Sequence, residues 1–327
     1  TIMKKILFAA VAAMAITGCS QNEEIEKAAQ PVEIGFNTAV GKATKATPML
    51  NDNFKDFKVY AYNSGSNLIK DVTKLSTTVF MNGIKTEKGE EGLWATKGTY
   101  YWPLTDKLQF FAYSPSESGA LSAWSAEGQY PSFSYTVNPV ASQEDLLIAQ
   151  AADKNKTDDS GSGVSLGFKH ILTQVNFSAT GSTDGYKYDV TGIAISGVNQ
   201  TATFTFDVTA GTWGTASSVI TSPYEYAGTY ATITGTETKS FDKSDGSLML
   251  LPQTLPADAK ITVTYTVKDA SDATIFNGTG DVELGGVTWT AGSKIRYTLL
   301  LKDNGAEVTF VPKVDPWNEE TAGPEKN

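Results

Sequence analysis

The chain has 327 residues, room for two domains of ordinary size, and its 26 Lys plus Arg against 36 Asp plus Glu give a formal charge of −10. That balance excludes a nucleic-acid groove, which needs clustered positive charge to displace counterions from phosphates. One cysteine, Cys19, and one histidine, His170, leave no intramolecular disulfide and no Cys/His zinc site, and any Ser-His-Asp triad would have to use His170.

In chain order, Thr1 and Ile2 read as lying upstream of a start at Met3. Lys4 and Lys5 then form a positive leader ahead of an apolar run over residues 6–16, which is too short to span a bilayer as a helix. The run ends in Ile16-Thr17-Gly18-Cys19, which resembles the lipobox of bacterial lipoproteins, where small residues admit the processing peptidase and the cysteine sulfur receives diacylglycerol. Residues 1–18 are therefore expected to be a signal peptide and Cys19 the lipidated mature N-terminus. Each buried acyl methylene contributes about 0.8 kcal/mol, so several acyl chains anchor a protein without a transmembrane helix. The alternative is a simple secretory signal with a chance cysteine. The acidic stretch Gln21-Asn22-Glu23-Glu24-Ile25-Glu26 resembles the surface-export signal of Bacteroidetes lipoproteins, and reads equally well as a solvated tether. Residues 19–31 are polar, lack periodicity and end at Pro31, as a flexible leader would.

From Val32 onward, short runs with period-two or compact apolar character recur between Gly, Asn, Asp and Pro. Strands are expected at 33–36, 57–62, 78–80, 108–113 and 132–137, with 145–152 either a strand or a short helix. The polar, glycine-punctuated stretch 153–163 is the best linker, placing a domain boundary near residue 160. In the second half Val164, Leu166, Phe168 and His170 share one parity, and a break near Thr173 suggests a bulge or bend that resets the face. Further strands are expected at 188–195, 202–208, 247–251, 261–267, 273–277, 295–301 and 308–311. Many short strands without intervening helices point to an all-β fold of antiparallel β-sandwiches, over residues 32–160 and 161–317 with a flexible tail at 318–327.

Several of these pieces resemble the fimbrillin family of Bacteroidetes, the type V pilus subunits and their lipoprotein relatives. They are Ile34-Gly35-Phe36 followed by Ala43-Thr44-Lys45-Ala46, YWPLTDKLQFFAYSP ending at Pro115, Asp145-Leu146-Leu147-Ile148-Ala149, VSLGFKHILTQVNF from Val164 to Phe177, LMLLPQTL from Leu248, Trp289-Thr290-Ala291-Gly292 and the end from Val314 to Trp317. The resemblance implies two transthyretin-like β-sandwich domains and export as an outer-membrane, cell-surface lipoprotein. It also implies polymerisation by donor-strand exchange with other pilus subunits, after a protease removes the first strand. Here the removed segment would end in the loop holding Lys42 and Lys45, which equally reads as a plain exposed loop; stalk subunits of the family are cut by an arginine-preferring protease, whereas this region holds only lysine. Candidate donor strands are 297–301 and 307–311, joined through Asp303-Asn304-Gly305, a hairpin-turn signal. Val308 and Phe310 fall on one face, and Val311 precedes Pro312, which is expected to stop the ladder. The same hairpin could instead complete its own domain.

Catalytic chemistry is sought and not found, so the expectation is a non-enzyme without cofactor or metal. His170, on the parity of Leu166 and Phe168, should be a hydrogen-bonded core residue. Asp153, Asn155, Thr157 and Asp159 have alternate spacing, but the twelfth position of a calcium loop is Val164 instead of glutamate; Asp242, Ser244 and Asp245 end likewise on Gln253. Gly161 and Gly163 lead into a strand, so they do not make a phosphate loop. A glycosidase needs only a spatial pair of carboxylates, which no spacing along a sequence marks. The stronger competitor is a surface lipoprotein that does not polymerise and binds host protein or glycan, with Trp94, Trp102, Trp124 or Trp213 stacking on sugar rings.

Overall fold

The computed structural model describes residues 30–40, 54–89, 94–243, 246–305 and 308–316, and within them nearly every regular element is a strand. The first half contributes β1 (Phe36–Val40), β2 (Asp56–Gly65), β3 (Val79–Lys88), β4 (Trp94–Thr96), β5 (Lys107–Ser114), β6 (Leu121–Ser125), β7 (Ser132–Thr136) and β8 (Leu147–Lys154). After a single turn of helix, α1 (Lys156–Asp159), come β9 (Val164–His170), β10 (Thr173–Gly181), β11 (Lys187–Ser196) and β12 (Asn199–Thr205). Short pieces follow: β13 (Thr212–Trp213), β14 (Ser217–Val219), β15 (Tyr224–Glu225), β16 (Thr232–Thr234), β17 (Thr238–Ser240) and β18 (Leu248–Leu250). The chain closes with β19 (Lys260–Lys268), β20 (Thr274–Glu283), β21 (Ser293–Leu301) and β22 (Thr309–Pro316).

Alternation explains the long strands. In β19, Ile261, Val263, Tyr265 and Val267 are buried while Thr262, Thr264 and Thr266 are half-exposed, the pattern of a sheet with one wet face. β2 and β5 are buried almost throughout because both faces of their sheet are covered. That sheet has seven strands in the order β1-β9-β8-β5-β2-β3-β4. One face sends Phe57, Val59, Leu108, Phe110, Leu166 and Phe168 into a core of its own. The other sends Tyr60, Tyr62, Phe111 and Tyr113 against Phe133, Tyr135 and Phe204 of a sheet ordered β13-β12-β7-β6. The remaining two sheets, β17-β10-β21-β22 and β15-β11-β19-β20, form a sandwich around Val175, Phe177, Tyr188, Ile261, Tyr265 and Tyr297.

Three local expectations change on folding. The parity break near Thr173 is a change of sheet: β9 ends at His170 in the seven-stranded sheet, and β10 starts at Thr173 in another. The stretch read as a linker includes α1, whose first turn is capped by Asn155 Oδ1 accepting from the Asp158 N–H at 3.1 Å. Three ladders cross residue 160, since β9 pairs with both β8 and β1 and β12 pairs with β7. Two ladders, β1 with β9 and β10 with β21, are parallel within an otherwise antiparallel scheme. Parallel neighbours need a long crossover, and more than a hundred residues separate each pair in sequence.

Candidate assembly seam

The N-terminal segment is stitched to the body twice. Residues 32–34 first run antiparallel to 100–102, with the Ile34 N–H donating to Tyr100 O at 2.8 Å and the Trp102 N–H donating to Val32 O at 2.9 Å. Beyond Gly35 the direction of pairing changes, and β1 lies parallel to β9 in the register Phe36 with Val164 through Val40 with Phe168. Gly163 makes this approach possible: its φ is +75°, and a Cβ there would sit 3.1 Å from the Gly35 backbone. Ile34, Phe36 and Val40 are buried, and the Phe36 ring meets Phe57 at 5.7 Å and Phe110 at 5.8 Å, both edge-on.

β1 ends the strand order on one side and β4 ends it on the other. The sheet curls until both ends share the same aromatic floor. Trp94 of β4 lies 5.1 Å from Phe54 and from Phe57, while Phe168 of β9 approaches those two rings at 4.7 and 5.3 Å. Between the ends remains an open cleft of about 570 Å³, lined by Ile34, Phe36, Asn37, Trp94, Thr96 and Ser162 among others. It is a seam in a nearly closed sheet, bounded by two strand edges over an apolar floor. Nothing in the sequence marked β4 or Phe54 as its far wall.

The C-terminal hairpin lies elsewhere, in the sheet of β10. Val308 is 2 % exposed and drops into a notch over Gly280, where a Cβ would come within 2.4 Å of its Cγ2. Phe310 is half-buried and meets Tyr297 edge-on at 5.2 Å, whereas Val311 is 71 % exposed. The expected stop at Pro312 does not occur: the ladder with β21 pairs Tyr297 with Pro312 and continues to Ser293 with Pro316. β22 is the last strand of its sheet, and an edge strand accommodates proline wherever the missing N–H would have faced outward.

Cys19, Lys42 and Lys45 lie outside the described residues, as do Ser244 and Asp245; Lys42 follows the last residue of β1 by two positions. His170 is buried with its Nδ1 2.8 Å from Asp145 Oδ2, on the last residue of β9, so it serves the core. The acidic loops are occupied with local structure. Asp153 Oδ1 accepts from the Ile69 N–H at 2.7 Å and from Gln109 Nε2 at 2.9 Å, and Asp242 takes both oxygens to Arg296 at 2.8 Å. Among the described residues no group of three or more His, Cys, Asp or Glu could hold a metal ion. The four indoles considered for sugar stacking are all engaged in packing. Trp102 is buried against Phe110, Trp94 covers Phe54 and Phe57, Trp124 stacks on Tyr60 at 3.9 Å, and Trp213 donates to Ile171 O at 2.7 Å beside Phe204.

With this geometry in view, comparisons with known proteins agree on one family. The fimbrillin-like family model matches residues 42–317. The chain is 27% identical over 190 residues to the fimbrium subunit Fim1C of Phocaeicola vulgatus, an alignment covering 52% of this chain and 50% of that one; the match thus spans half the length of that relative. Among solved structures, a fimbrial protein from Bacteroides vulgatus has the same fold at a TM-score of 0.69 and 20% identity, over 88% of this chain and 100% of that one. A protein from Bacteroides uniformis assigned to cell adhesion follows at a TM-score of 0.50 and 19% identity, over 88% and 98% of the two chains. The family model covers most of the sequence and the fold agrees along its length: the chain belongs to the fimbrillin-like family.

Proposed function

We infer that this chain is a cell-surface lipoprotein that serves as a fimbrial subunit, anchored to the outer membrane through Cys19 and assembling with other subunits by strand exchange at the seam. Its role is structural and adhesive. The observation that carries this reading is the place of β1. It is an edge strand paired only with β9, its anchors Phe36 and Val40 and the preceding Ile34 fill an apolar floor, and the proposed cut sites Lys42 and Lys45 follow it directly in sequence. Removing such a strand exposes backbone N–H and C=O groups along β9 together with the apolar slot, and an incoming strand satisfies both at once. The packing of Trp94, Trp102, Trp124 and Trp213 leaves the glycan-binding alternative without an observation in its favour.

Two measurements test this. Chains carrying Lys42→Ala together with Lys45→Ala should resist N-terminal processing and yield no heat-labile ladder of oligomers on gels, while the unsubstituted chain ladders after protease treatment; equal ladders from both would remove the assigned cut sites. Cys19→Ala should abolish labelling by radioactive palmitate and leave the precursor at full length. Normal labelling would remove the anchor.

A further inference from the structure

We propose that the side chains of Ser64 and Gln109 become joined by an ester, formed once within the folded chain by loss of ammonia, which fastens β2 to β5 covalently. Such a cross-link is independent of strand exchange.

Two irregularities in the sheet aim the groups. β5 lies between β2 and β8. In its ladder with β2, Asn63 pairs with Leu108 and Gly65 with Lys107, so Ser64 is an extra residue, a bulge on β2. In its ladder with β8, Leu108 pairs with Lys154 and Phe110 with Ala151, so Gln109 stands against both Ala152 and Asp153. Asp153 takes a φ of +59°, a left-handed conformation that a non-glycine residue adopts at a cost in energy. Bulges re-aim side chains, and here one on each neighbouring strand turns Ser64 and Asp153 onto the carboxamide of the residue between them.

Gln109 is fully buried and Ser64 is 8 % exposed. Gln109 Nε2 donates to Ser64 Oγ at 2.9 Å and to Asp153 Oδ1 at 2.9 Å, and Gln109 Oε1 accepts from the Asp153 N–H at 2.7 Å. The Ser64 hydroxyl donates to Asn67 O at 2.9 Å and lies 3.3 Å from Lys107 O, while Asp153 Oδ1 also accepts from the Ile69 N–H at 2.7 Å. A hydroxyl nucleophile, an acyl carbon, a donor on the acyl oxygen and a carboxylate on the leaving nitrogen therefore share one buried site, and these are the parts that acyl transfer requires.

In the step, Ser64 Oγ bonds to Gln109 Cδ, and the bond from Cδ to Nε2 breaks. A partial turn of the carboxamide about its Cγ–Cδ bond presents the face of Cδ to the hydroxyl, which the fold already holds beside it. Asp153 takes the hydroxyl proton and returns it to the nitrogen that its Oδ1 already contacts, so that nitrogen leaves as ammonia. Charge developing on Oε1 meets the Asp153 N–H. Burial then keeps water from the ester. The bond closes a ring over residues 64–109 that encloses β3 and β4, a constraint that a chain with one cysteine cannot obtain from an internal disulfide.

Peptide mapping of the full-length chain reads the bond directly. Lys58, Lys70, Lys107 and Lys154 bound the peptides 59–70 and 108–154, and neither holds an internal Lys or Arg, so trypsin releases Ser64 and Gln109 on one peptide each. Digestion after denaturation should give the two peptides as a single species, lighter than their sum by one ammonia. Alkaline hydroxylamine, which cleaves esters and spares amides, should split it. Ser64→Ala should return the peptides separately, and Asp153→Asn, which removes the proton carrier at nearly constant volume, should leave most of the chain unlinked. Separate peptides at their sequence masses from the unsubstituted chain would overturn the ester, because hydrogen bonding alone changes neither mass. A joined species that resists hydroxylamine would overturn it as well, and undiminished linkage in Asp153→Asn would remove the role given to Asp153.

Discussion

Phe57→Ala is expected to lower the unfolding free energy by about 3–5 kcal/mol, the range for removing a buried phenylalanine and leaving a cavity. Phe57 is 0% exposed and is the ring on which both ends of the seven-stranded sheet converge. Phe36 meets it from β1, Trp94 from β4 and Phe168 from β9, with Phe54 stacked parallel at 6.2 Å. Alanine would leave those four rings without their shared partner, and the surrounding strands cannot close the gap without breaking ladder bonds to β3 and β5. Urea-induced unfolding followed by tryptophan fluorescence should show the midpoint falling at nearly unchanged slope. Tyr101→Ala, at a residue 48% exposed, serves as the surface control and should change stability by no more than about 0.5 kcal/mol. A loss below about 1 kcal/mol for Phe57→Ala would mean that the two ends of the sheet do not depend on a common floor.

Deleting residues 306–327 is expected to abolish growth of oligomers while leaving the chain able to accept a strand from another copy. The slot and its floor are built from β1, β2, β4, β5 and β9, and none of these touches the hairpin in the sheet order. A chain that accepts but cannot donate should therefore cap a growing end. Mixed with intact chain, it should shorten the ladders in proportion to its mole fraction, a signature that simple misfolding does not produce. The deletion also uncovers β21 and empties the notch over Gly280, so some loss of stability in the second sandwich is expected alongside. Ladders of undiminished length from the deleted chain alone would show that β22 is not the donor.

Much of the fold is legible in the sequence because two-residue periodicity is written locally. Leu166, Phe168 and His170 declared their common face, and the Val308–Phe310 parity declared which side of the last strand meets the core. Short strands without that signal, such as β4, β6 and β13 to β17, escaped notice, since two to five residues carry no measurable period. Pro312 misled for a related reason. A proline's effect depends on whether its nitrogen faces a neighbouring strand or open space, which only the sheet order reveals.

By itself the sequence determined an all-β body, the inward face of the strand from Val164 to His170, the lone histidine's place in the core and a net acidic balance, because these depend on composition and on neighbours along the chain. Pairing between distant segments was decided only by the tertiary structure. It laid β1 parallel to β9 across more than a hundred residues, carried the chain from one sheet to another between His170 and Thr173, and brought Trp94 and Phe168 to the same floor. The physical reason is that a strand's edge is chemically the same everywhere, an array of N–H and C=O groups. Which edge it meets is therefore settled by how the apolar faces pack together, not by the strand's own residues.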